Sequence, residues 1–240
     1  MTTKEKLLAL LEDSKGTFFS GEEIARTLQV SRAAVWKAVN ALREDGYTID
    51  AATNKGYRLS PDSDILSPQG IRRFLKPEYR DLDLTVLPTA PSTNALVREK
   101  ANQGRPEGCI IIACEQTDGR GRYGRQFFSP VDSGVYLSLL LRPTAYSPQQ
   151  ATCLTAAAAA AMCQAIEAVT GQQPGIKWVN DIFLHGKKVC GILTEAAVGL
   201  ETGTLNYMVL GAGVNVYLPT DGFPEEIQSS AGALLEHSTP

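Results

Sequence analysis

Three capped helical patterns followed by two short strand patterns fill the first 60 residues, and this order constrains the fold more than any other feature. Thr2 and Glu5 form a capping box ahead of the first apolar helical face, and Ser20 and Glu23 form a second. Ser31 has the position of an N-cap for a third helix. The chain therefore begins with three helices in close succession.

Two strand-like segments complete this region. Gly46 ends the third helix, and Tyr47–Ile49 and Gly56–Leu59 follow on either side of a turn that contains Asn54. Three helices followed by a β-hairpin predict a winged helix-turn-helix domain in residues 1–60.

A winged helix-turn-helix domain reads DNA with the amino-terminal end of its second motif helix. Arg32 can donate two hydrogen bonds to guanine, and Ser31 and Lys37 suit phosphates or base edges. The alternative is a winged domain that binds protein, which leaves the groove-facing Arg32 and Lys37 unexplained. The predicted DNA-contacting residues are Ser31, Arg32, Ala33, Trp36, Lys37, Asn54, Lys55 and Tyr57.

Composition limits the cellular setting and the kind of site. The net charge of −3 over 240 residues shows no overall excess of positive charge, so any nucleic-acid site must be local. Five cysteines without a CxxC pair indicate a reducing cytoplasm. The two histidines, His185 and His237, are too few for a histidine-based metal site. The sequence contains no run of 18 apolar residues, so no membrane span is predicted. We expect a cytoplasmic protein without a resident metal.

The remainder of the chain predicts a second domain. Residues 61–66 are polar, contain a proline, and are the predicted linker. From 67 to 240, helical and strand patterns alternate irregularly, which predicts an α+β fold with a mixed sheet. The alanine-rich stretch from about Pro148 to Val169 predicts a buried helix without chemistry.

The most specific string of the second domain is GRGRYGR at residues 119–125. Its glycines let the backbone approach a ligand, and its three arginines supply forked donors for carboxylate or phosphate. A solvated basic loop or an arginine–glycine RNA tether is the alternative. Because the string lies between two apolar strands, a loop that gathers an anionic reaction centre is favoured.

Four further strings are less specific when taken alone. Ser92-Thr93-Asn94 opens a helix and could simply cap it, and Asn180-Asp181 could be an ordinary turn. Lys188 enters an apolar strand and could be a surface lysine. Gly211-x-Gly213 lacks the third glycine of a dinucleotide fingerprint, and no helix pattern follows it, which excludes a Rossmann site.

Taken in order, these strings resemble the bifunctional biotin protein ligases that also repress the biotin operon. The resemblance runs from about Leu7 to Leu235 and is most specific in the arginine–glycine loop. Lipoate ligases share the fold but lack this loop and the winged domain. The matching strings are SGE at 20–22, SRAAV at 31–35, KGY at 55–57, STN at 92–94, residues 116–125, KWxND at 177–181, GIL at 191–193 and GxGxN at 211–215.

The resemblance implies a chemistry and a site. Biotin and MgATP would form biotinyl-5′-adenylate, and the biotinyl group would pass to a lysine of a carboxyl carrier protein. The implied catalytic residues are Arg120, Arg122, Lys188 and Asp181. The implied biotin-binding residues are Ser92, Thr93, Asn94, Gln116, Gly119, Arg120, Gly121, Arg122, Lys188, Gly191, Ile192 and Leu193. The implied ATP-binding residues are Arg122, Arg125, Phe127, Asn180, Lys188 and Asn215.

The resemblance also implies regulation and leaves a choice of function. The adenylate would order the arginine–glycine loop and favour a homodimer that binds a palindromic operator. Members of this family usually continue beyond the catalytic domain with a small SH3-like β-barrel. We expect the present sequence, which ends at Pro240, not to contain this module. The alternative to an enzyme with repressor function is therefore a biotin-sensing repressor that catalyses poorly. The retained Arg120, Arg122 and Lys188 favour the enzyme.

Overall fold

The computed structural model describes residues 1–143, 150–199 and 204–235. Each of the first three helices is capped at its amino-terminal end by a serine or threonine hydroxyl. The helices are α1 (Thr3–Asp13), α2 (Gly21–Leu28) and α3 (Arg32–Glu44). Thr2 and Glu5 make both hydrogen bonds of the predicted capping box. The hydroxyls of Ser20 and Ser31 accept from backbone N–H groups in the first turns of α2 and α3. The predicted helix starts are confirmed.

A β-hairpin completes the winged helix-turn-helix. Strands β1 (Ile49–Ala52) and β2 (Gly56–Leu59) are antiparallel, and the turn contains Asn54 and Gly56 at φ of 64° and 94°. The three helices and the hairpin enclose one apolar core. Its buried members are Leu7, Leu8, Leu11, Ile24, Val35, Ala38, Val39, Leu42, Tyr47, Ile49 and Leu59.

The segment that follows the linker packs on this same unit. Helix α4 (Pro68–Arg72) is capped by Ser67, and Arg73 lies 3.7 Å from the buried carboxylate of Glu12 on α1. The first compact unit consequently runs from Met1 to Asp81, and the second begins at Leu82. This corrects the boundary predicted after residue 66, because the contact with Glu12 joins α4 to the first unit.

A seven-stranded mixed sheet forms the second unit. Its strand order is β3-β4-β5-β9-β8-β7-β6, and β3 with β4 is the parallel pair among antiparallel neighbours. This confirms the predicted α+β class. The strands are β3 (Leu84–Leu87), β4 (Ile110–Ala113), β5 (Gly134–Leu141), β6 (Gly175–Lys177), β7 (Asp181–Leu184), β8 (Lys187–Val198) and β9 (Leu205–Asn215).

Two longer helices pack with the sheet. Helix α5 (Thr93–Asn102) contacts β4, β5 and β9, whereas α6 (Ala151–Thr170) contacts β6, β7 and β8. The short helix α7 (Glu225–Gln228) lies in the segment after β9. Two backbone hydrogen bonds tie that segment to the start of β8: Lys188 N–H donates to the Ser230 carbonyl at 2.8 Å, and Gly232 N–H donates to the Lys188 carbonyl at 2.9 Å.

The alanine-rich helix α6 is only partly buried, which corrects the prediction of a buried helix. Ala159 and Ile166 are buried, and Thr155 hydrogen-bonds Thr194 of β8 at 2.8 Å. Much of the opposite face is exposed, Val169 by 81%. A helix that covers one face of a sheet needs only one apolar stripe. By length and composition the window Cys153–Thr170 could also cross a membrane. Pro148, where the prediction began, lies outside the described residues.

Candidate active site

One pocket collects the chemistry-bearing strings of the second unit. It lies among the start of α5, the arginine–glycine loop, and strands β8 and β9. Its lining includes every predicted biotin-binding residue except Gly119. The lining residues are Ser92, Thr93, Asn94, Gln116, Arg120, Gly121, Arg122, Phe127, Leu137, Asn180, Lys188, Gly191, Ile192, Leu193, Gly211, Ala212 and Gly213.

Thr93 and Gln116 form an uncharged polar end of the pocket. The backbone N–H and the hydroxyl of Thr93 both donate to Gln116 Oε1, at 2.9 and 3.1 Å. Gln116 Nε2 donates to the Ser129 hydroxyl at 3.1 Å, so its amide orientation is set from both sides. This end offers donors and acceptors without a net charge, which suits a neutral ligand head rich in hydrogen-bonding groups.

The arginine–glycine loop is a short hairpin that also lines this pocket. Gly121 N–H donates to the Arg125 carbonyl at 2.7 Å, and Phe127 N–H donates to the Gly119 carbonyl at 2.9 Å. Glycine is required at position 119 because a Cβ there would overlap the Phe127 carbonyl oxygen. The loop backbone is therefore held close to the pocket by its own hydrogen bonds.

Three cations surround the part of the pocket next to this loop. Arg120 Nη2 pairs with Asp118 at 2.9 Å, and this hydrogen bond raises the pKa of the Arg120 guanidinium. Arg122 Nη1 donates to Asn180 Oδ1 at 2.9 Å. With Lys188, these groups give the pocket a cationic side suited to carboxylate and phosphate oxygens.

Lys188 occupies the entry to β8 with two neighbours. Its Nζ lies 2.7 Å from Asp181 Oδ1 and 5.8 Å from the centroid of the Phe127 ring. Asn180 Nδ2 also donates to Asp181 Oδ1, at 3.0 Å. Lys188 is thereby fixed toward the pocket, and Asp181 reaches the site through Lys188 rather than by lining it.

Two glycines on neighbouring strands, Gly191 and Gly213, leave space for the ring of Phe127 beside Lys188. A Cβ on Gly213 would lie 2.5 Å from the Phe127 ring, and one on Gly191 would lie 3.0 Å from it. Tyr136 meets Phe127 edge to face, with ring centroids 6.4 Å apart. The two glycines on adjacent strands therefore seat Phe127 against the sheet.

Two of the residues predicted to bind ATP, Asn215 and Arg125, lie outside the pocket lining. Asn215, at the end of β9, is buried and donates to the Gly232 carbonyl at 2.9 Å. Arg125 is exposed at the end of the hairpin, outside the pocket lining. The hydrogen bond to Gly232 holds the Asn215 amide in the packing of the segment after β9, so the structure does not bring it to the pocket.

Asn94 lines the pocket, and its amide is also held by hydrogen bonds within the protein. Its Oδ1 accepts from Ser138 at 2.6 Å, and its Nδ2 donates to Glu195 and to the Leu193 carbonyl, at 2.7 and 3.3 Å. The sequence reasoning missed Ser138 and Glu195. The available signal was Gly211 inside an apolar strand, because a Cβ there would overlap the Asn94 amide.

Cys190, which lies beside the pocket-lining Gly191, has no reactive thiolate to offer the site. Cys190 is fully buried on β8, and burial raises the pKa of its thiol to about 12. It is therefore a neutral thiol at physiological pH. Across residues 1–143, 150–199 and 204–235, no group of three or more His, Cys, Asp or Glu side chains could hold a metal ion.

The first unit presents its predicted DNA-contacting residues on an exposed surface. A groove between α3 and the hairpin turn is lined by Arg32, Ala33, Trp36, Asn54 and Tyr57, among others. Lys37 is exposed on α3, and Trp36 is 58% exposed although large and aromatic. Ser31 caps α3, and Lys55 lies 6.0 Å from the Phe18 ring centroid.

Comparisons with known proteins agree with both units. The biotin/lipoate A/B protein ligase family model matches residues 86–215, and a helix-turn-helix domain model matches residues 3–58. The bifunctional ligase/repressor BirA of Bacillus spizizenii is 40% identical over 237 residues, which cover 99% of this chain and 72% of that protein. The Escherichia coli BirA is 34% identical over 90% of this chain and 64% of its own length.

A solved structure gives a further match. The biotin protein ligase of Aquifex aeolicus in complex with biotin and ATP aligns with a TM-score of 0.51 and 30% identity. The alignment covers 63% of this chain and 59% of that one.

Proposed function

The chain belongs to the family of bifunctional biotin ligase/repressors, and we propose that it forms biotinyl-5′-adenylate from biotin and MgATP and passes biotin to a carrier-protein lysine. The observation that carries this proposal is the two-sided pocket. Thr93 and Gln116 form a neutral polar end, and Arg120, Arg122 and Lys188 form a cationic side.

Biotin suits this arrangement because its two ends differ. The ureido head is neutral and matches the Thr93 and Gln116 groups, and the valeryl chain can lie along Ile192 and Leu193. Burying four methylenes contributes about 3 kcal/mol. The carboxylate then points to the cationic side.

The first reaction joins two anions. A biotin carboxylate oxygen attacks the α-phosphorus of ATP, the new P–O bond forms, and pyrophosphate leaves with the electrons of the broken P–O bond. No general base is needed because the carboxylate is already ionised at pH 7. Arg120, Arg122 and Lys188 offset the repulsion and stabilise charge on the phosphoryl oxygens.

The second reaction transfers the biotinyl group. A neutral lysine amine of a carboxyl carrier protein attacks the acyl carbon, an amide bond forms, and AMP leaves with the electrons of the acyl–oxygen bond. Asp181, whose Oδ1 lies 2.7 Å from Lys188 Nζ, is the candidate group to orient the incoming amine or to accept its proton. Transfer of labelled biotin to a carrier, but not to the same carrier with its acceptor lysine replaced by arginine, tests this step.

The nucleotide occupies the loop side of the pocket in this proposal. Arg122, Phe127, Asn180 and Lys188 lie there, whereas Arg125 and Asn215 need a rearrangement to reach it. Magnesium enters as the complex of the substrate ATP, so the triphosphate supplies its ligands.

We propose regulation through the same loop. Bound adenylate orders residues 119–127 and favours a homodimer, and two winged units then bind a palindromic operator in the cytoplasm. Ordering of a loop by a ligand is a common switch. Adenylate that leaves both the oligomeric state and the operator affinity unchanged would contradict it.

Replacement of Arg32 by alanine is expected to separate the two functions. Loss of a bidentate base contact should weaken operator binding about 10- to 100-fold, with adenylation unchanged because Arg32 lies in the other unit. Fluorescence anisotropy with operator DNA and an adenylation assay measure the two effects. Arg26→Ala, on α2, is the matched control, and an equal loss in both variants would indicate only a charge effect.

A further inference from the structure

Glu195, a carboxylate in β8 outside the pocket lining, holds the helix that carries the pocket's polar residues. Its Oε2 accepts from Asn94 Nδ2 at 2.7 Å, and its Oε1 lies 2.9 Å from Arg98 Nη1. Asn94 and Arg98 are four residues apart and so share one face of α5. Glu195 therefore fixes the first two turns of α5 to the sheet, at Asn94 and at Arg98.

Asn94 connects this attachment to the wall of the pocket, which it also lines. Both N–H donors of its amide are used, by Glu195 and by the Leu193 carbonyl, and its Oδ1 accepts from Ser138. The residue is 5% exposed, and Gly211 leaves the space that its amide fills. A buried amide with its hydrogen bonds made is held in one orientation.

Ser138 extends the network to the polar end of the pocket. Its hydroxyl is fully buried and lies 2.7 Å from Thr93 Oγ1. Thr93 in turn donates to Gln116 Oε1 from both its hydroxyl and its backbone. A continuous set of hydrogen bonds thus runs from Glu195 through Asn94, Ser138 and Thr93 to Gln116.

We propose that Glu195 is a positioning residue for the end of the pocket that receives the ureido head, acting through Asn94. Charge-assisted hydrogen bonds from a carboxylate are stronger than neutral ones, and supporting residues of this kind fix the groups that touch a ligand. Glu195 sets biotin affinity and leaves the nucleotide side unchanged. The inference rests on the proposed function.

Glu195→Ala is expected to raise the biotin Kd and the biotin KM about tenfold, with the KM for ATP and kcat changed less than twofold. Glu195→Gln keeps an acceptor for Asn94 and loses the attraction for Arg98, so its Kd should be intermediate. Isothermal titration calorimetry with biotin and steady-state adenylation give these values on the full chain. Because Glu195 acts through Asn94, combining Glu195→Ala with Asn94→Ala should cost less than the sum of the single changes.

Asp83→Ala is the matched control, because it removes another carboxylate–arginine pair, with Arg105 at 2.8 Å, outside this network. Its biotin Kd should equal that of the unaltered chain. A Kd for folded Glu195→Ala within twofold of the unaltered chain overturns the inference, as does full additivity with Asn94→Ala. If Glu195→Ala does not fold, the biotin Kd of Glu195→Gln is compared instead, and a value within twofold of that of the unaltered chain overturns the inference. An unaltered chain that binds no biotin contradicts the proposed function instead.

Discussion

Lys188→Ala should lower the rate of biotinyl-adenylate formation by about 100- to 1000-fold, because one preorganised donor at a developing charge contributes ~3–4 kcal/mol. Lys188 Nζ is held 2.7 Å from Asp181, and Lys188 lines the pocket with Arg122 and Phe127. Its removal takes away a cation where the carboxylate and the α-phosphate meet. Rapid-quench measurement with saturating biotin and MgATP separates this rate from binding.

Lys187→Ala is the matched control for this prediction. Lys187 is the preceding residue on β8, is exposed, and lies outside the lining of this pocket. We expect an unchanged adenylation rate there. Equal rates for Lys188→Ala and the unaltered chain would remove Lys188 from the mechanism, and a matching loss in Lys187→Ala would reduce its role to general surface charge.

Gly119→Ala should reduce adenylation about 100-fold by displacing the arginine–glycine loop. A Cβ at this position would overlap the Phe127 carbonyl oxygen and lie 2.6 Å from Ser129 Oγ. The hairpin must then open at the Gly119–Phe127 hydrogen bond, which moves Arg120 and Arg122 from the pocket. A displacement of about 1 Å in a reacting group is enough for an effect of this size.

Gly175→Ala gives the corresponding control in the same unit. A Cβ on Gly175 in β6 meets nothing within 4 Å, so neither the rate nor the melting temperature should change. The melting temperature of Gly119→Ala should fall only slightly, because Gly119 itself is buried whereas residues 122–126 of the loop are exposed. Adenylation by Gly119→Ala at the normal rate would show that the observed loop geometry is not the catalytic one.

Local signals predicted the helix starts, and the resemblance to a known family predicted most of the residues that line the pocket. Thr2, Ser20 and Ser31 cap helices through bonds to residues three positions away, and such short-range chemistry is readable in a sequence. The strings around Thr93, Gln116 and Lys188 were recognisable through resemblance. Their meeting in one pocket required the sheet order, which brings β8 and β9 beside α5 and the loop.

Long-range contacts explain what the sequence reasoning missed. Asn94 and Glu195 are 101 residues apart in the chain, and no local pattern relates them. The domain boundary depended on Glu12, whose burial beside Arg73 joins α4 to the first unit. Asn215 was expected at the nucleotide, but its amide is held by Gly232, a partner without any sequence signal.

Single-turnover adenylation tests the central claim most directly. The purified chain is mixed with biotin and MgATP labelled at the α-phosphate, and the products are separated. Labelled biotinyl-adenylate that appears with biotin, and is absent without it, is the predicted result. Biotin binding without any adenylate would contradict the ligase activity of this chain and would favour a biotin-sensing repressor.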